Sequence, residues 1–151
     1  MRISEAVQQV VAIYPGRFHP FHKGHVSVYE YLKAKYKNVY IATSDKVGPP
    51  KSPFTFAEKK MMMVHAGVPA NAIVQTKNPY QAQEILENFD PANTAVVFAV
   101  SEKDMDEDPR FSFKPKKDGS PSYFQPIGKD LATFDKHGYI TTVPTLDFDV
   151  L

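Results

Sequence analysis

The sequence predicts a doubly wound α/β fold, in which a parallel five-stranded sheet carries helices on both faces. Short apolar segments alternate along the chain with segments whose apolar residues recur every three or four positions, as strands and helices do. The most apolar segment, residues 94–100, is typical of a strand buried on both faces. The first strand is followed by a Gly-containing turn and then by a helix. Doubly wound parallel sheets bind ligands where their strand order reverses.

Apolar spacing and helix-end residues predict the individual elements. Strands are expected at residues 10–13, 38–43, 72–75, 94–100 and 139–143. The first helix, at residues 25–36, is expected to bury Val28, Tyr29, Leu32 and Tyr36 on one face. Asn78 and Pro79 supply an N-cap and a first-turn proline for another helix at residues 80–89.

Thr55 and Glu58 have the spacing of a capping box, which predicts the start of a helix between these two. This helix is expected to run to about residue 66 and to end at Gly67. Its inward-facing residues are predicted to be Ala57, Met61 and Val64.

Composition is that of an ordinary globular protein, and one domain spanning residues 1–151 is expected. The net charge of +1 produces no global field that would attract nucleic acid. There is no apolar run of the roughly 18–20 residues that a membrane span needs. The absence of cysteine excludes disulfides and thiolate metal sites. We therefore expect a cytoplasmic protein that binds neither nucleic acid nor membranes and holds anions by local geometry.

Residues 105–128 interrupt the alternation of strands and helices. They predict a loop or hairpin excursion with a turn at Asp118-Gly119. A solvated insertion is the favoured interpretation, and a lid or a partner surface is the alternative.

The turn after the first strand contains the best indication of function, because three of the five histidines fall there within seven residues. A turn between strand and helix presents amide N–H groups and the positive end of the helix dipole, which suits phosphate. His22 and His25 are three residues apart, so their imidazoles face the same volume. Arg17 adds a guanidinium, and Gly24 permits a close approach. The group suits stabilisation of charge on a phosphate during direct displacement, since no serine or cysteine in the motif offers a nucleophile.

Two less specific interpretations compete with this one. A histidine at a helix start is often a cap or a satisfied polar residue. A metal-binding pair is disfavoured, because helical ligands are more often four residues apart and no third ligand is near; we predict no metal site here. His65 and His137 stand alone and are expected to be structural or on the surface.

Residues 16–25, Gly-Arg-Phe-x-Pro-Phe-His-x-Gly-His, resemble the H-x-G-H signature of the nucleotidyltransferase superfamily. The form is that of archaeal-type nicotinamide-mononucleotide adenylyltransferases and related cytidylyltransferase-like proteins. Residues 51–59 are similar to the basic-x-Pro-Phe-Thr-x-x-Glu-Arg stretch that follows the family's second strand. Residues 96–101 resemble, more weakly, the strand and turn that flank the base. Together these similarities cover most of residues 10–104.

The resemblance implies a Rossmann-like domain that moves a nucleotidyl group from ATP or CTP to a small phosphorylated acceptor and releases pyrophosphate. Nicotinamide mononucleotide is the first candidate acceptor, and Mg²⁺ accompanies the triphosphate. The catalytic residues that it implies are His22, His25 and Lys51. The nucleotide- and phosphate-binding residues that it implies are Tyr14, Gly16, Arg17, Phe18, Gly24 and Ser101.

One family motif is missing. Relatives close the phosphate site with Ile-Ser-x-Thr-x-x-Arg after the last strand, whereas no arginine follows Arg110 here. This predicts that the chain is the N-terminal part of a longer protein, that it lacks part of the triphosphate site, or that a partner chain completes the site.

The missing motif makes a catalytically weak or inactive nucleotide-binding domain of a larger protein the main alternative. Chemistry like that of class I aminoacyl-tRNA synthetases is disfavoured by size, and a dehydrogenase by the lack of G-x-G-x-x-G. Self-association into a homo-oligomer is left open.

Overall fold

The computed structural model describes residues 2–3, 7–16, 18, 21, 23–45, 54–79, 81–101, 115–128 and 130–143. In chain order, its elements are β1 (Arg2–Ile3), β2 (Gln9–Pro15), α1 (Lys23–Lys35), β3 (Asn38–Thr43), α2 (Phe56–His65), a 3₁₀ turn (Ala70–Ala72), β4 (Ile73–Gln75), α3 (Gln83–Leu86), β5 (Thr94–Ser101), β6 (Phe124–Pro126), β7 (Asp130–Leu131) and β8 (Gly138–Val143). β1 and β7 pair with each other in parallel, apart from the main sheet.

The main sheet has six parallel strands in the order β4-β3-β2-β5-β8-β6. The predicted α/β fold is confirmed, but the predicted count of five strands is wrong. The additional strand is β6, which pairs with β8 at the edge of the sheet and comes from the predicted excursion. It has only three residues and is half-buried, which is too short for an alternating apolar pattern to show in the sequence. It ends in proline, which is tolerated in strands at the edge of a sheet.

The strand order reverses between β2 and β5. From β2 the chain adds β3 and β4 on one side, and β5 and β8 lie on the other side. β2 and β5 are themselves paired from Gln9–Thr94 to Ile13–Phe98. The turn that follows β2 therefore lies at the switch point of the sheet, where ligands of this architecture bind.

Alternate residues of the central strands enter two different cores. Ala12 of β2 and Val97 of β5 pack with α1 and α2 on one face, in a cluster that includes Leu32. Ile13 and Phe98, one position along, pack on the other face with α3. All of β5 except its last residue is buried, so its predicted central position is confirmed.

The predicted inner face of α1 is confirmed, since Val28, Tyr29, Leu32 and Tyr36 are all buried. The predicted inner face of α2 is wrong. Met61 is 74% exposed, Val64 is 44% exposed and Ala57 is exposed, whereas Lys59 and Met63 are fully buried. Apolar residues lie on more than one side of this helix, so spacing alone fits two orientations.

Both predicted ends of α2 are confirmed. Thr55 Oγ1 accepts a hydrogen bond from the Glu58 amide at 3.2 Å, and Glu58 Oε1 accepts one from the Thr55 amide at 3.0 Å. At the other end, Gly67 has a φ of +109°, and the Val68 amide donates to the Met63 carbonyl at 3.0 Å.

The third predicted helix is shorter than expected, because α3 covers only Gln83–Leu86. The Ala82 amide donates to the Asn78 carbonyl at 2.9 Å, and Ala82 itself has a φ of +51°. This left-handed residue separates the turn that begins at Asn78 from the helix, so the N-cap predicted there is wrong.

The turn predicted at Asp118-Gly119 is confirmed. The Gly119 amide donates to the Lys116 carbonyl and the Lys116 amide to the Ser120 carbonyl, both at 2.9 Å, and Gly119 has a φ of +85°. Residues 115–123 form no strand beside this turn, so the described part of the excursion is a loop until β6 begins; residues 105–114 lie outside the described residues.

None of the helices in the described ranges is long and apolar enough to span a membrane.

Candidate functional site

The candidate site is built on the turn between β2 and α1. Pro15, the last residue of β2, lies beside Ala42 of β3. The amide of the next residue, Gly16, donates a hydrogen bond to the Ala42 carbonyl at 3.1 Å. This bond fixes where the chain leaves the sheet at the switch point.

Gly16 and Phe18 have a mutually dependent geometry. Phe18 is 5% exposed and has a φ of +53°, which is unusual for a residue with a Cβ. Its ring lies over Gly16, where a Cβ would come within 2.9 Å of Phe18 Cζ. Glycine therefore permits the close approach of this ring. Backbone in such a region costs on the order of 1–3 kcal/mol and persists where the surroundings impose it.

His25 lies in the first turn of α1 with its imidazole among three aromatic rings. The ring stacks on Phe21 at 5.4 Å and 28°, and meets Phe18 edge-on at 5.0 Å and 88°. The ring of Tyr14, in β2, has its centroid 6.3 Å from that of the imidazole. His25 is half-buried, while the three rings are at most 7% exposed. The packed neighbours therefore restrict the orientations that the imidazole can adopt.

The predicted site residues that are described converge on this turn. Tyr14, Gly16, Phe18, Gly24 and His25 lie in or around it, and Gly24 is buried in the first turn of α1. Ser101 is the last residue of β5. It lies three residues after Phe98, and Gly16 lies three residues after Ile13, the residue paired with Phe98. The two residues are therefore at the same edge of the sheet. Arg17, His22 and Lys51, which were also predicted, lie outside the described residues.

The aromatic side chains divide between core and surface. Phe18 and Phe21 are buried in the core shared with α1, whereas Phe54, ahead of α2, is half-buried. Phe21 is therefore a core residue.

Sequence reasoning overlooked Lys59, whose side chain is fully buried. Its Nζ donates a hydrogen bond to Thr43 Oγ1 at 2.9 Å, at the end of β3. Burial lowers the pKa of Lys59, and the nearby carboxylate of Asp45 partly opposes that shift. The sequence held two indications. Lys59 occupies the basic last position of the stretch at residues 51–59, and it lies three positions after Phe56 and four before Met63, on an apolar side of α2.

The shifted pKa of Lys59 predicts a pH dependence of stability. The folded-state pKa lies below the ordinary 10.5, so between the two values the unfolded chain binds more protons than the folded one. The free energy of unfolding should therefore rise as the pH increases from the folded-state pKa of Lys59 toward its ordinary value of about 10.5. Urea unfolding of the wild-type protein and Lys59→Met, from neutral pH upward, should show the wild type gaining stability relative to the variant. A difference that stays constant with pH would contradict this.

A cavity of about 580 Å³ lies beside the site, at the carboxyl ends of β3 and β4. Its lining residues are Ser44, Asp45, Gln75, Thr76, Lys77 and Glu84. It is within the size range of small-ligand sites and carries both signs of charge.

Replacing Gly16 with alanine should disturb the site through Phe18. The added Cβ would overlap the Phe18 ring, which is buried and cannot move freely, so we expect a loss of about 1–3 kcal/mol in the free energy of unfolding. Urea unfolding measures this loss. Gly128→Ala is the control, because a Cβ there meets nothing within 4 Å. Equal effects of the two substitutions would contradict the packing argument.

A parallel, doubly wound sheet with a Gly-containing turn at its switch point defines a Rossmann-like α/β protein. The chain belongs to the cytidylyltransferase-like family, whose family model matches residues 13–117, well over half of the chain.

The chain is similar over part of its length to curated relatives and to solved structures, of which the following are examples. Nicotinamide-nucleotide adenylyltransferases from Methanolobus tindarius and Sulfurisphaera tokodaii are 42% identical over 57 residues and 41% identical over 58. These matches cover 36% and 34% of this chain and 33% and 31% of the relatives, so the chain spans about a third of the length of the curated relatives it matches. Nicotinamide-nucleotide adenylyltransferase 1 from Sulfolobus acidocaldarius is 37% identical over 54 residues, 34% of this chain and 31% of that protein. The structure of a bifunctional NMN adenylyltransferase/ADP ribose pyrophosphatase from Francisella tularensis, complexed with AMP and a Mn ion, aligns with a TM-score of 0.46 and 24% identity, covering 64% of this chain and 33% of that one.

Proposed function

We propose that this protein is a nucleotidyltransferase that uses ATP or CTP and a small phosphorylated acceptor. The observation that carries this proposal is the packing of His25 among three aromatic rings, next to a turn at the switch point of a parallel sheet. Nicotinamide mononucleotide is the first candidate acceptor, since the relatives that match are named nicotinamide-nucleotide adenylyltransferases.

In the proposed reaction, a phosphate oxygen of the acceptor attacks the α-phosphorus of the triphosphate. The bond from that phosphorus to the bridging oxygen of the β-phosphate breaks, and pyrophosphate leaves. Negative charge accumulates on the oxygens of the reacting phosphate, and an imidazole N–H held beside them stabilises the transition state more than the ground state. Mg²⁺ enters with the triphosphate as part of the substrate.

The proposal gives each part of the turn a role. The Phe18 amide and the start of α1 would bind phosphate, and His25 would donate to the reacting phosphate. The Gly16 amide, which the sequence also suggested for phosphate, instead donates to the Ala42 carbonyl and fixes the turn. By the family resemblance, Arg17, His22 and Lys51 would add positive charge there. The acceptor would have room in the cavity at the ends of β3 and β4.

Pyrophosphate release tests the proposal directly. The protein is mixed with Mg²⁺ and either ATP or CTP, and nicotinamide mononucleotide or phosphocholine is added as acceptor. Release of pyrophosphate that requires one donor and one acceptor is the expected result. Nucleotide binding without release under every combination would instead favour a nucleotide-binding domain without catalysis.

A further inference from the structure

Lys59 occupies a place where a positive charge is energetically costly. Lys59 is fully buried, and removing an ammonium group from water costs several kcal/mol unless partners compensate. Among the described residues, it donates one hydrogen bond, to the neutral hydroxyl of Thr43 at 2.9 Å, and the Asp45 carboxylate is nearby. A methionine would fill similar space without this cost, so stability alone does not account for a lysine here.

Thr43 is held firmly at both its side chain and its backbone. Its Oγ1 accepts from Lys59, and its carbonyl accepts from the Thr76 amide at 2.9 Å. Thr43 is the last residue of β3 and directly follows Ala42. The Ala42 carbonyl belongs to the peptide bond between these two residues, and it accepts a hydrogen bond from the Gly16 amide at 3.1 Å. The orientation of Thr43 therefore affects the turn after β2.

From Gly16 the contacts continue to the candidate catalytic histidine. The Phe18 ring covers Gly16, and the same ring meets His25 at 5.0 Å. Lys59, Thr43, the Ala42 carbonyl, Gly16, Phe18 and His25 thus form an unbroken series of contacts.

We infer that Lys59 is a positioning residue for the nucleotidyl-transfer site, acting through Thr43 on the Gly16–Phe18 turn and on His25. The inference rests on the proposed function for its catalytic consequence. Lys59 is buried away from solvent and contacts no substrate in this role. It sets the geometry of the residues that do.

Lys59→Met separates this role from a structural one. If Lys59 serves stability, the variant should melt at a lower temperature. If Lys59 is a positioning residue kept at a cost in stability, the variant should melt at the same or a higher temperature while kcat falls about tenfold or more. KM for the triphosphate should change little, because the loss lies in alignment for the reaction.

Two further variants complete the set. Thr43→Val keeps a branched side chain but removes the acceptor for the ammonium, so it should lower kcat as Lys59→Met does. Lys60→Met is the matched control, since Lys60 is the next residue on α2 but is only half-buried, and it should leave kcat unchanged.

Hydrogen exchange of the Gly16 amide tests the same inference without any need for activity. We expect faster exchange at Gly16 in Lys59→Met and Thr43→Val, and wild-type exchange in Lys60→Met. Folded Lys59→Met protein with unchanged Gly16 exchange would overturn the inference. If the wild type releases no pyrophosphate at all, the proposed function fails, and Gly16 exchange still decides whether Lys59 orders the turn.

Discussion

His25→Ala should lower the rate of pyrophosphate release by about a hundredfold or more, the scale of losing one donor to a charge that develops in the transition state. His22→Ala, at the other histidine of the motif, should do the same. Thermal unfolding monitored by circular dichroism should change little for His25→Ala, because its imidazole is only half-buried and the surrounding rings belong to a larger core.

The matched control for this result is His65→Ala. His65 is an exposed residue in the last turn of α2, so its substitution removes an imidazole without touching the site. Unaltered pyrophosphate release in both His22→Ala and His25→Ala would rule out the catalytic roles assigned to these histidines.

Met63→Ala should reduce the free energy of unfolding by about 2–5 kcal/mol, since it leaves a cavity in the core beneath α2. Met61→Ala, two residues away on the same helix, should change it by less than about 0.5 kcal/mol. The contrast arises because Met63 is fully buried and Met61 is 74% exposed. Urea unfolding of the two variants measures both values.

The outcome of this pair decides which face of α2 is inward. If Met61→Ala were the more destabilising of the two, the helix would have the orientation that the apolar spacing suggested. Lys59 would then not be buried, contrary to the structure.

Local patterns predicted those features of the fold that local physics controls. The Thr55–Glu58 capping box is made by bonds that close within three residues, and the stop at Gly67 needs only a residue that tolerates a positive φ. The face of α1 was predicted because only one side of that helix is consistently apolar. α2 has methionines on several sides, so its orientation depends on what it packs against.

The candidate site was predictable to the same degree. The spacing of Gly16, Gly24 and His25 identified the turn, and strand alternation placed it at the edge of the sheet where Ser101 also emerges. Nothing local to Lys59 shows that its side chain reaches Thr43, sixteen positions earlier. The left-handed backbone of Phe18 is equally hidden, because its cause is a ring packed over Gly16 among distant neighbours.

The amino-acid sequence by itself determined the α/β class, the family and the turn that carries the motif, since these follow from periodicity and from residue types a few positions apart. Only the tertiary structure decided the six-stranded order with its switch point, the inward face of α2 and the aromatic enclosure of His25. These depend on contacts between residues far apart in the chain. Their free energy comes from burial and close packing, which have no period that a linear pattern can show.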